Sequence, residues 1–207
     1  MKKIKGLLLK EVYAQRSTVI IYAVMVAAFA VSTFISDALG PIMLFPCFIS
    51  SSAGLNSFTL DERGWEKYAY ALPCRVNEII LSKYIFDFAC KFTVLLLMIS
   101  ARLLGSFVFD FEFMSGEFAF NLVLVFAVYT VMYCLIPLYF KLANKALVAS
   151  CAAIGGVSGI AVNFLFFKED KVLNVGLTPV VISLCVLIIS IPVTYYISVR
   201  QYKKQDI

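Results

Sequence analysis

The chain has 207 residues, 62% hydrophobic and 15% charged, with a mean hydropathy of +0.92 and a formal net charge of +5. A soluble domain is about half apolar and about a quarter charged, so an excess this large cannot be hidden inside a particle of this size. An ordinary soluble enzyme is excluded, and the absence of histidine also removes His-based metal sites, Ser-His-Asp triads and histidine general bases.

The apolar residues come in runs. Crossing the hydrocarbon layer, roughly 30 Å thick, takes about 20 helical residues. Runs such as 122–139 and 180–195 approach that length without the polar–apolar alternation of a barrel strand. The expected fold is therefore an all-α integral membrane protein, a single domain over 1–207 with six transmembrane helices. The basic residues stand at the ends of these runs, so membrane orientation explains the net charge and no nucleic-acid partner is expected. The six cysteines (Cys47, Cys74, Cys90, Cys134, Cys151 and Cys185) form no CxxC pair and read as small buried hydrophobes, so neither a metal site nor a disulfide framework is expected. No GxxxxGK[ST] loop occurs, and ATP hydrolysis by the P-loop route would need another chain.

Residues 1–16 carry five basic residues and one acid around a short aliphatic set, the pattern of an interfacial helix. The first span is expected at about 18–35. Its Ala28-Phe29-Ala30 triplet resembles a signal-cleavage site, but the apolar run continues beyond it. A turn at 37–41 leads to a second span, about 41–60, whose Ser50-Ser51-Ser52-Ala53-Gly54 centre suits close helix contact or the lining of a path. The third span, about 80–109, would be about 45 Å long at 1.5 Å per residue, so its first turns should project into water. Spans four, five and six are expected at about 118–140, 146–167 and 177–199. Pro46, Pro137 and Pro192 fall inside spans two, four and six, and Gly155 and Gly159 form a small-xxx-small pair in span five. Fourteen of the 18 lysines and arginines lie at the termini, around 61–83 and at 141–145, which puts both termini and the 61–79 loop in the cytoplasm.

A turn between spans needs only a few residues, yet 61–79 has about twenty. Asp61 suits an N-cap, with Glu62 near the positive end of a short helix. Trp65, Tyr68, Ala69 and Leu72 make an apolar stripe, while Arg63, Glu66 and Lys67 occupy the other faces and Pro73 ends the helix. By physics alone this helix either rests on the lipid surface or docks on a cytoplasmic partner. Further along, Lys83, Asp87 and Lys91 are spaced by four and share one face of span three. They form either a structural ladder or a polar stripe relaying motion. A proton relay is disfavoured, because one acid between two lysines holds its proton weakly.

The segment DERGWEKYAYALPCRVNEIILSKY resembles the signature loop of ABC transporter permeases of the type 2 exporter class. It is most similar to the small six-span bacterial subfamily that includes phenol-soluble-modulin exporter permeases. Asp61, Glu62, Trp65, Tyr68, Leu72, Pro73, Ile79, Ile80, Ser82, Lys83 and Tyr84 meet the family pattern, and GLLLKEVY at 6–13 resembles its opening. Arg75 stands two places after Pro73, where many members have it three places after. The resemblance implies that 61–79 is a coupling helix, with Asp61, Glu62, Trp65, Glu66, Tyr68, Leu72, Pro73 and Arg75 docking on a separate ABC ATPase subunit. ATP and Mg would bind on that partner, none in this chain, and a second permease chain, identical or related, would complete the pathway. The chain would then lie in a bacterial plasma membrane, without catalytic residues, as part of an exporter of amphipathic or antimicrobial peptides. The alternative is a non-transporting scaffold or immunity protein that binds a cytoplasmic partner through the same loop.

Overall fold

A computed structural model describes residues 2–35, 46–47, 49–51, 75–110, 115–142 and 177–205, and all of its regular structure in these residues is helical. Five helices can be delimited: α1 (Lys2–Ala14), α2 (Arg16–Ile35), α3 (Val76–Phe109), α4 (Gly116–Leu142) and α5 (Leu177–Gln205). Helical backbone also occurs at 46–47 and 49–51. Three helices, α3, α4 and α5, are long and apolar enough to cross a membrane; α1 and α2, bent by 76°, count as a fourth when taken together. Of the predicted spans, the fifth and most of the second lie outside the described residues.

The helix ends follow from local chemistry. Arg75 is extended, and its N–H donates to Glu78 Oε2 at 3.0 Å, one half of a capping box that starts α3. Val76–Ile79, assigned to the loop by sequence, are thus its first turn. At the other end Asp110 adopts the left-handed conformation (φ 52°), which aspartate tolerates better than most residues, and α3 stops. Ser115 caps α4, its Oγ accepting from the Phe118 N–H at 3.3 Å, with Glu117 in the first turn against the helix dipole.

α3 is the axis of the assembly. Both α1 and α2 pack on it, α5 touches it, and α4 packs most extensively on α5. Its inner face runs Ile80, Tyr84, Asp87, Lys91, Val94, Met98, Arg102 and Gly105, all buried at steps of three or four. The outer face shows Phe88, Phe92, Leu96, Leu103 and Phe107. In water such an exposed stripe would be an aggregation surface, whereas in a bilayer it is the ordinary lipid-facing side. α1 carries the same inversion: Leu7 and Glu11 are buried, as is Gln15 just beyond its end, while Leu9, Val12 and Tyr13 are exposed. Its outer face suits the acyl boundary rather than water.

Candidate functional site

The backbones of α3 and α4 stay apart, and long side chains fill the space between them. Most of these side chains are polar or aromatic. Lys91 Nζ donates to Asp87 Oδ2 at 2.7 Å, one helical turn apart, and the two side chains are only 3% and 1% exposed. A lone charge at mid-bilayer costs roughly 2.5–3.5 kcal/mol on insertion scales, so each offsets the cost of the other. Further compensation comes from α4. The Lys91 ammonium lies 3.9 Å from the centre of the Tyr133 ring and 5.7 Å from that of Tyr129, held against two negative ring faces. Asp87 and the Tyr133 hydroxyl are within electrostatic reach of one another.

From this pair the network extends to both sides. Ser50 Oγ donates to the Cys47 carbonyl at 2.7 Å and contacts the Tyr129 hydroxyl at 3.2 Å; that hydroxyl is 3.4 Å from the Lys91 carbonyl. Two hydroxyl protons serve three contacts. The serine proton goes to the shortest, which leaves the Tyr129 proton shared between Ser50 and Lys91. In this way one tyrosine ties the fragment of the second predicted span to α3 and α4. On the other side, Tyr84 stacks on Tyr133 (centroids 6.1 Å apart) and meets Tyr195 edge-on at 5.6 Å. The Tyr84 hydroxyl bonds Ser198 Oγ at 2.9 Å, and Tyr195 donates to the Asn77 carbonyl at 3.3 Å, tying α3 to α5.

Of the three residues read from sequence as a polar stripe, all are buried on the inner face of α3, and Asp87 and Lys91 form an ion pair. Arg102 extends the charged face further and is fully buried. The tyrosines were missed altogether, although Tyr129 and Tyr133 stand four apart and so share one face of α4. Of the predicted docking residues, Asp61, Glu62, Trp65, Glu66, Tyr68, Leu72 and Pro73 lie outside the described residues; Arg75 is exposed at the head of α3.

Chemically, this is a clamp rather than a reaction centre. Among the described residues its one carboxylate, Asp87, is committed to a lysine, and the Cys47 thiol is buried beside the Tyr129 hydroxyl. Among the described residues no group of His, Cys, Asp or Glu could hold a metal ion. What the cluster can do is join four segments of the chain through bonds that are costly to leave half-made in a low-dielectric interior.

Comparison with known proteins agrees with a transport subunit. A family model described as ABC-2 family transporter protein matches residues 6–203. No curated protein and no solved structure matches the chain. Since the family match covers nearly the whole sequence and the described helices are long apolar spans around a buried polar knot, the chain belongs to the ABC-2 transporter family as an integral membrane permease subunit, a family that works in association with an ABC ATPase.

Proposed function

We propose that this chain is the transmembrane permease of an ATP-driven exporter that moves amphipathic or antimicrobial peptides out of a bacterial cell. The family match over 6–203 supports the permease part of this reading; peptide export and coupling through the loop rest on the resemblance of the 61–79 segment. Two permease chains would enclose the pathway, six spans each with both termini in the cytoplasm. The 61–79 loop would dock on a separate ATPase that binds ATP and Mg. Support for the loop's role comes from its place in the chain: it runs between Ser50–Ser51 on one side and α3 on the other, the two segments that Tyr129 joins. Displacing the loop would pull on both segments, and the Asp87–Lys91–Tyr133 cluster would carry that displacement to α4.

The test is a detergent pull-down of the full chain from its own membranes, scoring co-purified P-loop ATPase. Wild-type chain should retain the ATPase, and the Trp65→Ala plus Tyr68→Ala variant should lose it. A well-folded wild-type chain that brings down no ATPase would instead favour the scaffold or immunity protein.

A further inference from the structure

The seam between α2 and α3 is built from opposite materials. It holds a half-open groove of about 480 Å³, within the range of roughly 300–1,000 Å³ found for small-molecule sites. Ala23 and Ala27 on α2 and Ala89 on α3 create it, because their methyl groups leave unfilled the space a larger side chain would take. Its wall carries no charge. The hydroxyls of Ser50 and Thr93 that reach it are already bonded to the carbonyls of Cys47 and Ala89. Apart from Tyr22 and Cys90 the rest of the wall is hydrocarbon, so an occupant is held mainly by apolar contact.

Length narrows the choice. The groove runs along α2 from Val19 to Ala30. At 1.5 Å per residue that is about 16 Å, close to half of the roughly 30 Å hydrocarbon core, the depth of one leaflet. Ile20, Val24 and Val31 on α2 and Phe92 and Leu96 on α3, neighbours of the lining residues in sequence, are exposed apolar side chains suited to lipid contact beside a half-open groove. At the head of the groove stands Arg16, exposed, where α1 turns away from α2. Arg16 lies three residues before Val19 and seven before Ala23, which puts it on the groove side of the helix. A guanidinium is the side chain best matched to a phosphate.

We propose that this groove is a phospholipid site, with one acyl chain lying between α2 and α3 and the lipid phosphate held at Arg16. The site requires only that the chain spans a bilayer and does not depend on what the permease exports. It would seal the groove between α2 and α3 with lipid instead of protein.

Native mass spectrometry of the full chain, purified in detergent and titrated with phosphatidylglycerol, tests this. Wild-type protein should retain one phospholipid per chain. The groove-filling pair Ala23→Leu and Ala27→Leu should weaken retention at least tenfold. Arg16→Gln, an exposed change that keeps the test open if the filled variant does not fold, should weaken it severalfold, whereas Ile182→Ala on the lipid face of α5 should not. Absence of retained phospholipid, or retention unchanged in Arg16→Gln and in the folded filled variant, would overturn the site. So would a photo-crosslinking residue at Ala27 that captures a second copy of this chain and no lipid.

Discussion

The two seams along α3 differ in almost every physical respect. Toward α4 and α5 the space is filled by Tyr84, Lys91, Tyr129 and Tyr133, joined by ring contacts and by bonds to Ser50, Asp87 and Ser198; toward α2 it is lined by alanines and left half-open. Hydrophobic burial cannot explain the contrast, since lipid tails are as apolar as leucine and give helices no reason to associate. The polar seam is held because separating it would strand a charge or a hydroxyl in hydrocarbon. On the alanine side nothing is stranded, and lipid can take the place of a neighbour. One helix thus presents a face specified by chemistry and another specified only by shape.

That contrast can be broken experimentally, starting with the ion pair. Asp87→Asn leaves the Lys91 ammonium without its counter-charge and should destabilise the fold by about 3 kcal/mol, the lower end for breaking a buried pair. Adding Lys91→Met to it should recover much of that loss, because no charge then remains. Thermal unfolding in lipid bicelles would show both, and a double variant weaker than Asp87→Asn would mean that Lys91 acts elsewhere. Next in size, Tyr133→Leu preserves bulk but removes a ring face from Lys91, a desolvated cation–π contact worth about 2 kcal/mol. Its effect should shrink in the Lys91→Met background to what the stacking on Tyr84 contributes, a coupling that a double-mutant cycle measures directly.

Smaller effects sharpen the picture. Tyr129→Phe removes a hydroxyl shared between two acceptors and should cost about 0.6 kcal/mol, the average for interhelical hydrogen bonds in a membrane. If that hydroxyl transmits loop motion, the same change should lower the peptide transported per ATP hydrolysed more than it lowers thermal stability. Smallest of all, filling the open seam with Ala27→Leu should move stability by under about 1 kcal/mol, because no packed neighbour has to be displaced.

How much of this was legible in the sequence depended on range. The membrane class and the helical fold follow from the apolar runs, because bilayer thickness converts directly into residue count. The shared face of Lys83, Asp87 and Lys91 follows from a spacing of four within one helix, and the Asp87–Lys91 bond lies within that face. The tyrosines are different. Tyr129 reaches a carbonyl 38 residues away, Tyr84 a serine 114 away, and Tyr195 a carbonyl 118 away. Periodicity says which side of a helix such a residue occupies but not which helix it meets. The alanine groove was invisible for a related reason: Ala23, Ala27 and Ala30 read as ordinary span residues until α3 lies beside them with Ala89 at the same level.

The claim that most needs testing is that this permease is driven by ATP through the 61–79 loop. The measurement is uptake of a fluorescent amphipathic peptide into inside-out vesicles containing this chain and its co-purified ATPase, with and without ATP. The account predicts ATP-dependent uptake by the wild-type chain and none with Trp65→Ala plus Tyr68→Ala. Vesicles whose ATPase hydrolyses ATP while the peptide stays outside would contradict peptide export. ATP-driven uptake that survives the loop substitutions would contradict the loop as the point of coupling.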